Sequence, residues 1–409
     1  MALERCRTAR EAVILMGELV DKYGYYGPGE ALIIGDTKEG WVMEFAGTPN
    51  GYPGLWVAKR VPDGKVYVTA NAFRIRDVKP GDPDMIISKN LYKVSEKLGW
   101  WKPEDGILDW ARTVGIGEYN HPYYSLRRVW RVMARINPAL GLSPWVENAF
   151  TREYPFSIKP KKKLTAHDVM RLHDDHYEGT EFDMKKGVAA GPYGDPNRIY
   201  GSYDGARNEV VGEEKISGAW ERPVSASYCT YVQLGIGRSW LPDPIGGLVW
   251  IGLDRPDTTC FIPFYAGVTD LPLSYRNGSP FKFDRGFAWW AFDFVSNWAD
   301  LKYRYMINDI TAKRDEIETR EFAVQPAVEA AAVNLYKTSP ELARQYLTDY
   351  CNNNSSQVIH EWWDLSERLI AKYSQGYEVI SDQVKEVGYP KEWLDATGYA
   401  DGPTSYRKP

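Results

Sequence analysis

The side chains with chemical potential are few and far apart. Asn71 stands between Ala70 and Ala72 at the end of an extended-looking run, 66–73. A carboxamide there either closes the strand against a neighbouring loop or acts as a fixed donor to a bound substrate. Arg198 ends Gly191-Pro192-Tyr193-Gly194-Asp195-Pro196-Asn197-Arg198. The glycines and prolines demand a tight, irregular loop, and such loops on rigid scaffolds often line sites. Arg198 either bridges Asp195 or Asp204, or it grips a substrate carboxylate or lowers a nearby thiol's pKa. His167, His173 and His176 lie near Asp174, Asp175 and Glu178. Only His173 and His176 share a helix face, and no fourth ligand is indicated, so surface or cap roles are read for them. Glu361-Trp362-Trp363-Asp364 puts two carboxylates at i, i+3, which on a helix is a surface-plus-core arrangement more than a glycosidase pair. No Gly-rich phosphate loop, G-x-S-x-G or H-E-x-x-H occurs.

Elements to position these residues can be read from patterning. Segments 31–35, 41–45, 55–61 and 66–73 alternate with turn signals and read as a four-strand meander. Trp41, Met43 and Phe45 share one face, and in the next strand Leu55 and Val57 oppose Trp56 and Ala58. A sheet apolar on both faces must be covered on both. Helical periodicity marks 3–23, with Leu3 and Cys6 inside it, then 85–97, 107–114 and 123–136. Segment 164–177 reads as a short helix with Thr165 as N-cap and Asp168 at the capping-box spacing. Strands return at 224–234, 246–253 and 258–265. From 287 the pattern is helical: 287–321, 325–337, 339–351, 355–375 and 379–386, with Pro326, Pro340 and Pro390 at starts or boundaries. Leu335, Tyr346, Trp362, Trp363 and Leu369 are expected on the buried face of this region. The class is α+β, with a core over 1–310, a mostly helical insertion at about 80–180, and a C-terminal helical region over 311–409 packed on the core.

Composition is that of a globular protein. Charged residues make up 26% and apolar ones 44% of 409 residues. The net charge of −5 gives no reason to expect nucleic acid as a partner. No stretch approaches the ~20 apolar residues of a membrane span. The four cysteines, Cys6, Cys229, Cys260 and Cys351, fit neither a disulfide framework nor a zinc pattern. Aromatic residues reach 14%, which reads as a large core with aromatic walls more than as a platform for sugar rings or peptide side chains.

The motifs WVMEFAG, LWVAKRVPD and YVTANAFRI resemble the middle of the C69 dipeptidases, cysteine-dependent N-terminal-nucleophile hydrolases. The likeness continues in GVAAGPYGDPNR (187–198), LPDPIGGLVWIGLDRP (241–256), FIPFYAGVTDLP (261–272) and FAWWAFDFVSN (287–297), over nearly the whole chain and in the family's order. The resemblance implies a four-layer α-β-β-α sandwich, with the helical segment as an elaboration. It implies hydrolysis of short peptides by an N-terminal cysteine, with no metal or organic cofactor. Asn71 resembles the asparagine whose amide faces the oxyanion, and Arg198 a second site residue supporting the thiolate or the substrate. Both are expected to border one concave site.

The departure is at the start. In these enzymes the free α-amine of residue 1, with a reference pKa of about 7.7–8.0, is the base. Nothing here matches the opening cysteine segment, and Cys6, its nitrogen in a peptide bond, cannot substitute. The expectation is a chain truncated relative to the family, with a long unpaired edge beside Asn71 in the meander 31–75, poorly soluble or homo-oligomeric when isolated. The alternatives are a catalytically inactive peptide- or glycan-binding protein on the same scaffold, and an amidase acting on non-peptide C–N bonds. The compartment, cytoplasmic or exported, stays open. Residues 1–409 are expected to release no amine from a dipeptide panel at neutral pH; turnover abolished by Cys6→Ser overturns this assignment of roles.

Overall fold

The computed structural model describes residues 1–49, 51–115, 124–148, 150–199 and 221–401. The chain divides into two compact units, one of residues 1–164 with 201–222, the other of 165–200 with 223–409. Strands and helices are mixed throughout, an α+β protein.

The first unit opens with α1 (Ala9–Tyr23), then β1 (Glu30–Gly35), β2 (Gly40–Ala46) and β3 (Leu55–Val61). It continues with β4 (Val66–Tyr67), β5 (Met85–Ile87), α2 (Leu91–Lys97), α3 (Trp110–Val114), α4 (Leu126–Ile136) and β6 (Ser157–Ile158). Helix α1 begins later than its periodicity suggests. Thr8 caps it, accepting from Glu11 N at 3.2 Å, while the Glu11 carboxylate takes Arg7 N at 2.9 Å. Such a cap contributes about 0.5–2 kcal/mol and fixes the start. Cys6 therefore lies in the turn before the helix, and Leu3 is 93% exposed.

Among the described residues the main sheet runs β1-β2-β3-β5, all antiparallel. The two-sided burial expected from sequence is present. Trp41, Met43, Phe45, Trp56 and Ala58 pack with Ala9 and Val13 of α1. On the other face Ala46, Leu55 and Val57 pack with Leu91, Val94, Trp110 and Val114. The approach of α1 is close enough to require glycine. A Cβ on Gly17 would fall inside the Trp56 ring, whose Nε1 donates to Asp21 Oδ1 at 3.1 Å.

Two expectations for this sheet are corrected. Segment 66–73 does not close the meander. Only Val66 and Tyr67 are extended, paired with Ile158 and Ser157, and the chain then leaves the ladder as a loop. The position beside β3 is taken by β5, within the segment expected to be helical, because Met85-Ile86-Ile87 finds an open edge there. The free edge is correspondingly not beside Asn71. Among the described residues the edges are β1 and the three-residue β5; the longer, β1, pairs with β2 alone and leaves Ile33 71% exposed.

The second unit begins with α5 (Ala166–Leu172), capped by Thr165 and Asp168 as the capping-box spacing indicated. Then come β7 (Tyr231–Gly237), α6 (Asp243–Gly246), β8 (Gly247–Leu253), β9 (Ile262–Tyr265), α7 (Leu273–Arg276) and α8 (Ala288–Ala299). The long helices α9 (Tyr303–Thr338) and α10 (Pro340–Lys372) follow, then β10 (Tyr377–Ile380), β11 (Gln383–Glu386) and α11 (Lys391–Ala396). Strands β7, β8 and β9 form an antiparallel sheet whose Trp250 and Ile262 share a core with Phe292, Ile310, Leu347 and Trp362. Trp362, Trp363 and Leu369 are buried, whereas Leu335 and Tyr346 are half-buried. Pro326, expected at a boundary, lies inside α9. An interior proline costs about 3 kcal/mol; buried Ile310 and Ile317 before it and Val328 and Ala332 after it hold the helix through. Segment 379–386, expected to be helical, is a hairpin turning at Ser381 (φ 57°), with Val379 opposite Val384. Among the described residues no helix is long and apolar enough to cross a membrane.

At Gly17 alanine is expected to destabilise the protein by about 1–3 kcal/mol, because Trp56 must move. An exposed helical glycine would instead gain roughly 0.5–1 kcal/mol from the same change. Urea unfolding of Gly17→Ala decides between the two.

Candidate active site

Asn71 is the tip of an exposed loop and holds φ 48°, the left-handed region that asparagine tolerates better than most residues. Three hydrogen bonds hold the loop around it. Thr69 Oγ1 donates to Ala72 O at 2.6 Å, tightening the turn. Ser125 Oγ, just before α4, donates to the Asn71 carbonyl at 3.0 Å. Arg128 Nη2, within α4, donates to Asn71 Oδ1 at 2.9 Å. A guanidinium only donates, so the atom facing it must be the amide oxygen, and the orientation of the carboxamide follows. The Nδ2 group has no partner among the described residues. The result is a preset donor at the surface of the first unit, on a residue that reaches its place by a turn and not by a strand end.

The stem below this loop is anchored with unusual density. Arg74 Nη2 donates to Tyr154 O and Pro155 O at 2.9 and 3.1 Å. Arg76 pairs through Nε and Nη2 with Asp109, and its Nη1 donates to Phe150 O at 2.6 Å. Ile75, between these arginines, and Val78, just after them, are buried. The most buried tie comes from Glu44 in β2, with no exposure at all. Its carboxylate accepts from Arg74 N at 2.6 Å, Ile75 N at 3.2 Å and Tyr67 OH at 3.3 Å. Burial pushes its pKa up to about 7, against the lowering effect of those donors and of Arg74. Glu44 is not among the residues that the sequence pattern singles out. The signal was there: a glutamate inside WVMEFA, a strand apolar on both faces, must be buried and must be bonded.

Arg198 belongs to the second unit and is described there by itself. Its Nη1 donates to Asp195 O at 2.8 Å and Asn197 O at 3.2 Å, and its Nη2 to Met184 O at 2.6 Å. It bonds the Asp195 carbonyl, not the carboxylate, and braces the loop over 184–198. Burial holds its pKa below the usual arginine range, with Asp195 opposing. Asp204 lies outside the described residues.

The three histidines go separate ways. His173 Nδ1 meets Val169 O at 2.9 Å, His167 Nε2 lies 3.8 Å from Glu318, and buried His176 lies between Glu178 at 3.3 Å and Asp257 at 3.9 Å. Glu361 is paired with Lys313 and Arg320 while Trp362 is fully buried, the surface-plus-core arrangement read from the sequence. Among the cysteines, burial raises the thiols of Cys229 and Cys260, and that of Cys351 to about 12, the reverse of an activated nucleophile.

The scaffold is mixed α+β and holds the Asn71 carboxamide in one orientation on a braced loop; comparisons with known proteins place the chain in a family. The model of peptidase family C69 matches residues 1–316, and the chain belongs to that family. It is 24% identical over 377 residues to "Probable dipeptidase" of Latilactobacillus sakei, covering 90% of this chain and 71% of that protein. It is 26% identical over 265 residues to "Probable dipeptidase" of Salmonella dublin, covering 64% of this chain and 52% of that one. "Probable dipeptidase B" of Lactococcus lactis is 25% identical over 281 residues, covering 68% of this chain and 52% of that protein.

Burial lifts Glu44, Asp254 and Glu318 each to about 7, well above the ordinary carboxyl range of about 4. An acid whose pKa is higher folded than unfolded binds more protons when folded, so stability falls as pH rises between the two values. Asp36, Asp77 and Asp257 are held below 3.8 and lose their contribution only in stronger acid. Calorimetry is therefore expected to give a higher Tm at about pH 5.5 than at about pH 8, with a shallower slope in Glu44→Gln.

Proposed function

We propose that this chain is the body of an enzyme that hydrolyses short peptides, with an N-terminal cysteine as nucleophile on a four-layer α-β-β-α scaffold. Asn71 donates its Nδ2 hydrogen to the oxyanion of the tetrahedral intermediate. Arg198 supports the thiolate or the substrate carboxylate by its charge. None of the four cysteines of residues 1–409 is assigned as the nucleophile, because Cys6 has no free α-amine and the other three thiols are disfavoured as thiolates or buried.

The single observation that carries the reading is the state of the Asn71 carboxamide. Its oxygen is occupied by Arg128, its carbonyl by Ser125, and its NH2 is left exposed. A donor fixed before the reaction stabilises developing negative charge without reorganisation, which is where most of the catalytic advantage of an oxyanion hole lies. The family membership supports the reaction class, and the dipeptidase names of the relatives support short peptides as substrates.

The test is turnover of a dipeptide panel, followed as released amine. It is run on residues 1–409 and on the product of the longest in-frame coding sequence that contains them. Activity is expected in the longer product where its opening supplies a cysteine, and alkylation of that cysteine should abolish it. Asn71→Ala is expected to lower kcat by about 10²–10³-fold with little change in KM. Full turnover in Asn71→Ala removes the asparagine from the mechanism.

A further inference from the structure

We infer that Glu44 is a positioning residue for Asn71: one buried carboxylate on a central strand ties both feet of the loop that carries the amide. The inference rests on the proposed oxyanion role of Asn71 and adds the group that aims it.

Tyr67 precedes Asn71 and Arg74 and Ile75 follow it, and all three meet the Glu44 carboxylate. Tyr67 OH comes at 3.3 Å, Arg74 N at 2.6 Å, and Ile75 N at 3.2 Å to Oε1 and 3.3 Å to Oε2. The loop is thus closed at its base by a single side chain. That side chain is not itself on a loop. Glu44 lies in β2, paired with β1 through Ala31 and with β3 through Val57. A group on a strand bonded along both edges is held far more firmly than one on a turn, and it transmits that firmness to what it bonds.

The same bonds turn the chain inward just after the loop. Once the amides of Arg74 and Ile75 have turned inward to the carboxylate, they are not available to β3. Asn71 is left at the crest, where φ 48° and the Ser125 and Arg128 bonds fix its direction. An ordinary core would place an aliphatic residue at position 44, since Ala46, Leu55 and Val57 around it are all buried and apolar. A buried carboxylate is costly unless fully bonded. Here the bonds it makes go to the stem of the site loop.

The experiment follows the Asn71 side-chain amide in protein labelled with ¹⁵N-asparagine, its signals assigned by their loss in Asn71→Ala. Kinetics on dipeptides are run alongside, with each substitution made in the longer product that Proposed function expects to be active. Glu44→Leu removes the acceptors while keeping the volume; it is expected to move the Asn71 signals and lower kcat about 10²-fold with KM little changed. Glu44→Gln keeps an acceptor oxygen for the two amides and is expected to restore the signals and most of kcat. Should Glu44→Leu fail to fold, Tyr67→Phe cuts one tie with the core shape intact and should still shift the signals. Folded variants with unmoved Asn71 signals overturn the positioning role, even where Asn71→Ala has lost turnover. Moved signals together with full turnover in Asn71→Ala uphold the positioning and discard the oxyanion reading instead.

Discussion

Strands β2 and β3 carry large apolar side chains on both faces, and the first unit is organised by the need to cover them twice. Helix α1 covers the face of Trp41, Met43 and Trp56, and comes so close over Trp56 that Gly17 has no room for a Cβ. The helices α2 and α3 cover the face of Leu55 and Val57. Helix α1 also has a polar fastening: Asp21 accepts from Trp56 Nε1 of β3 and from Ser88 Oγ just after β5, at 3.1 and 2.7 Å. Hydrophobic area supplies the driving force here, and these few bonds set the register in which it is spent.

Within that doubly covered sheet Glu44 is the exception, and its carboxylate ties the base of the loop that carries Asn71. A backbone amide left unpaired in such surroundings costs about 1–3 kcal/mol. Glu44 satisfies two of them at once, and the chain bends out of the sheet to reach it. The loop that results is short, braced by Arg74 and Arg76 to 150–155, and presents a carboxamide whose orientation is decided by Arg128. A donor built in this way is stiff without being part of regular secondary structure.

The second unit handles buried charge differently, by pairing. Arg171 meets both oxygens of Glu318 at 2.9 Å, and Phe261 N adds a third bond at 3.1 Å. Arg255 pairs with Asp300, with Asp257 at 3.6 Å, and Ser225 and Tyr303 donate to Asp257 at 2.9 and 2.8 Å. Burial alone would raise Asp257, but Arg255 and His176 keep its carboxyl below the usual range. Glu318, equally buried, is left raised. These networks fasten α5 and the loops around α9 to the core.

What the sequence determined by itself was local or periodic. The cap of α5 by Thr165 and Asp168 needs only neighbouring residues, and the two-faced apolar alternation of 41–45 and 55–61 requires covering layers whatever supplies them. The strands at 246–253 and 258–265 and the helical run from 287 to 372 were legible for the same reason, as was the family through its ordered motifs. Asn71 stood out as a polar residue among alanines. Its geometry did not, because Ser125 and Arg128 are separated from it by 54 and 57 positions. The tertiary structure alone decided where a segment of ambiguous propensity found its partners. Residues 85–87 became a strand because β3 had an open edge, 379–386 a hairpin because Val379 and Val384 pair across a turn, and Pro326 stayed helical because the core grips α9 on both sides of it. The loop at 68–75 is tied at its base by the Glu44 carboxylate, 30 and 31 positions away from the amides that it accepts from. Such placements are settled by groups far apart in the chain, so no window of sequence contains the outcome.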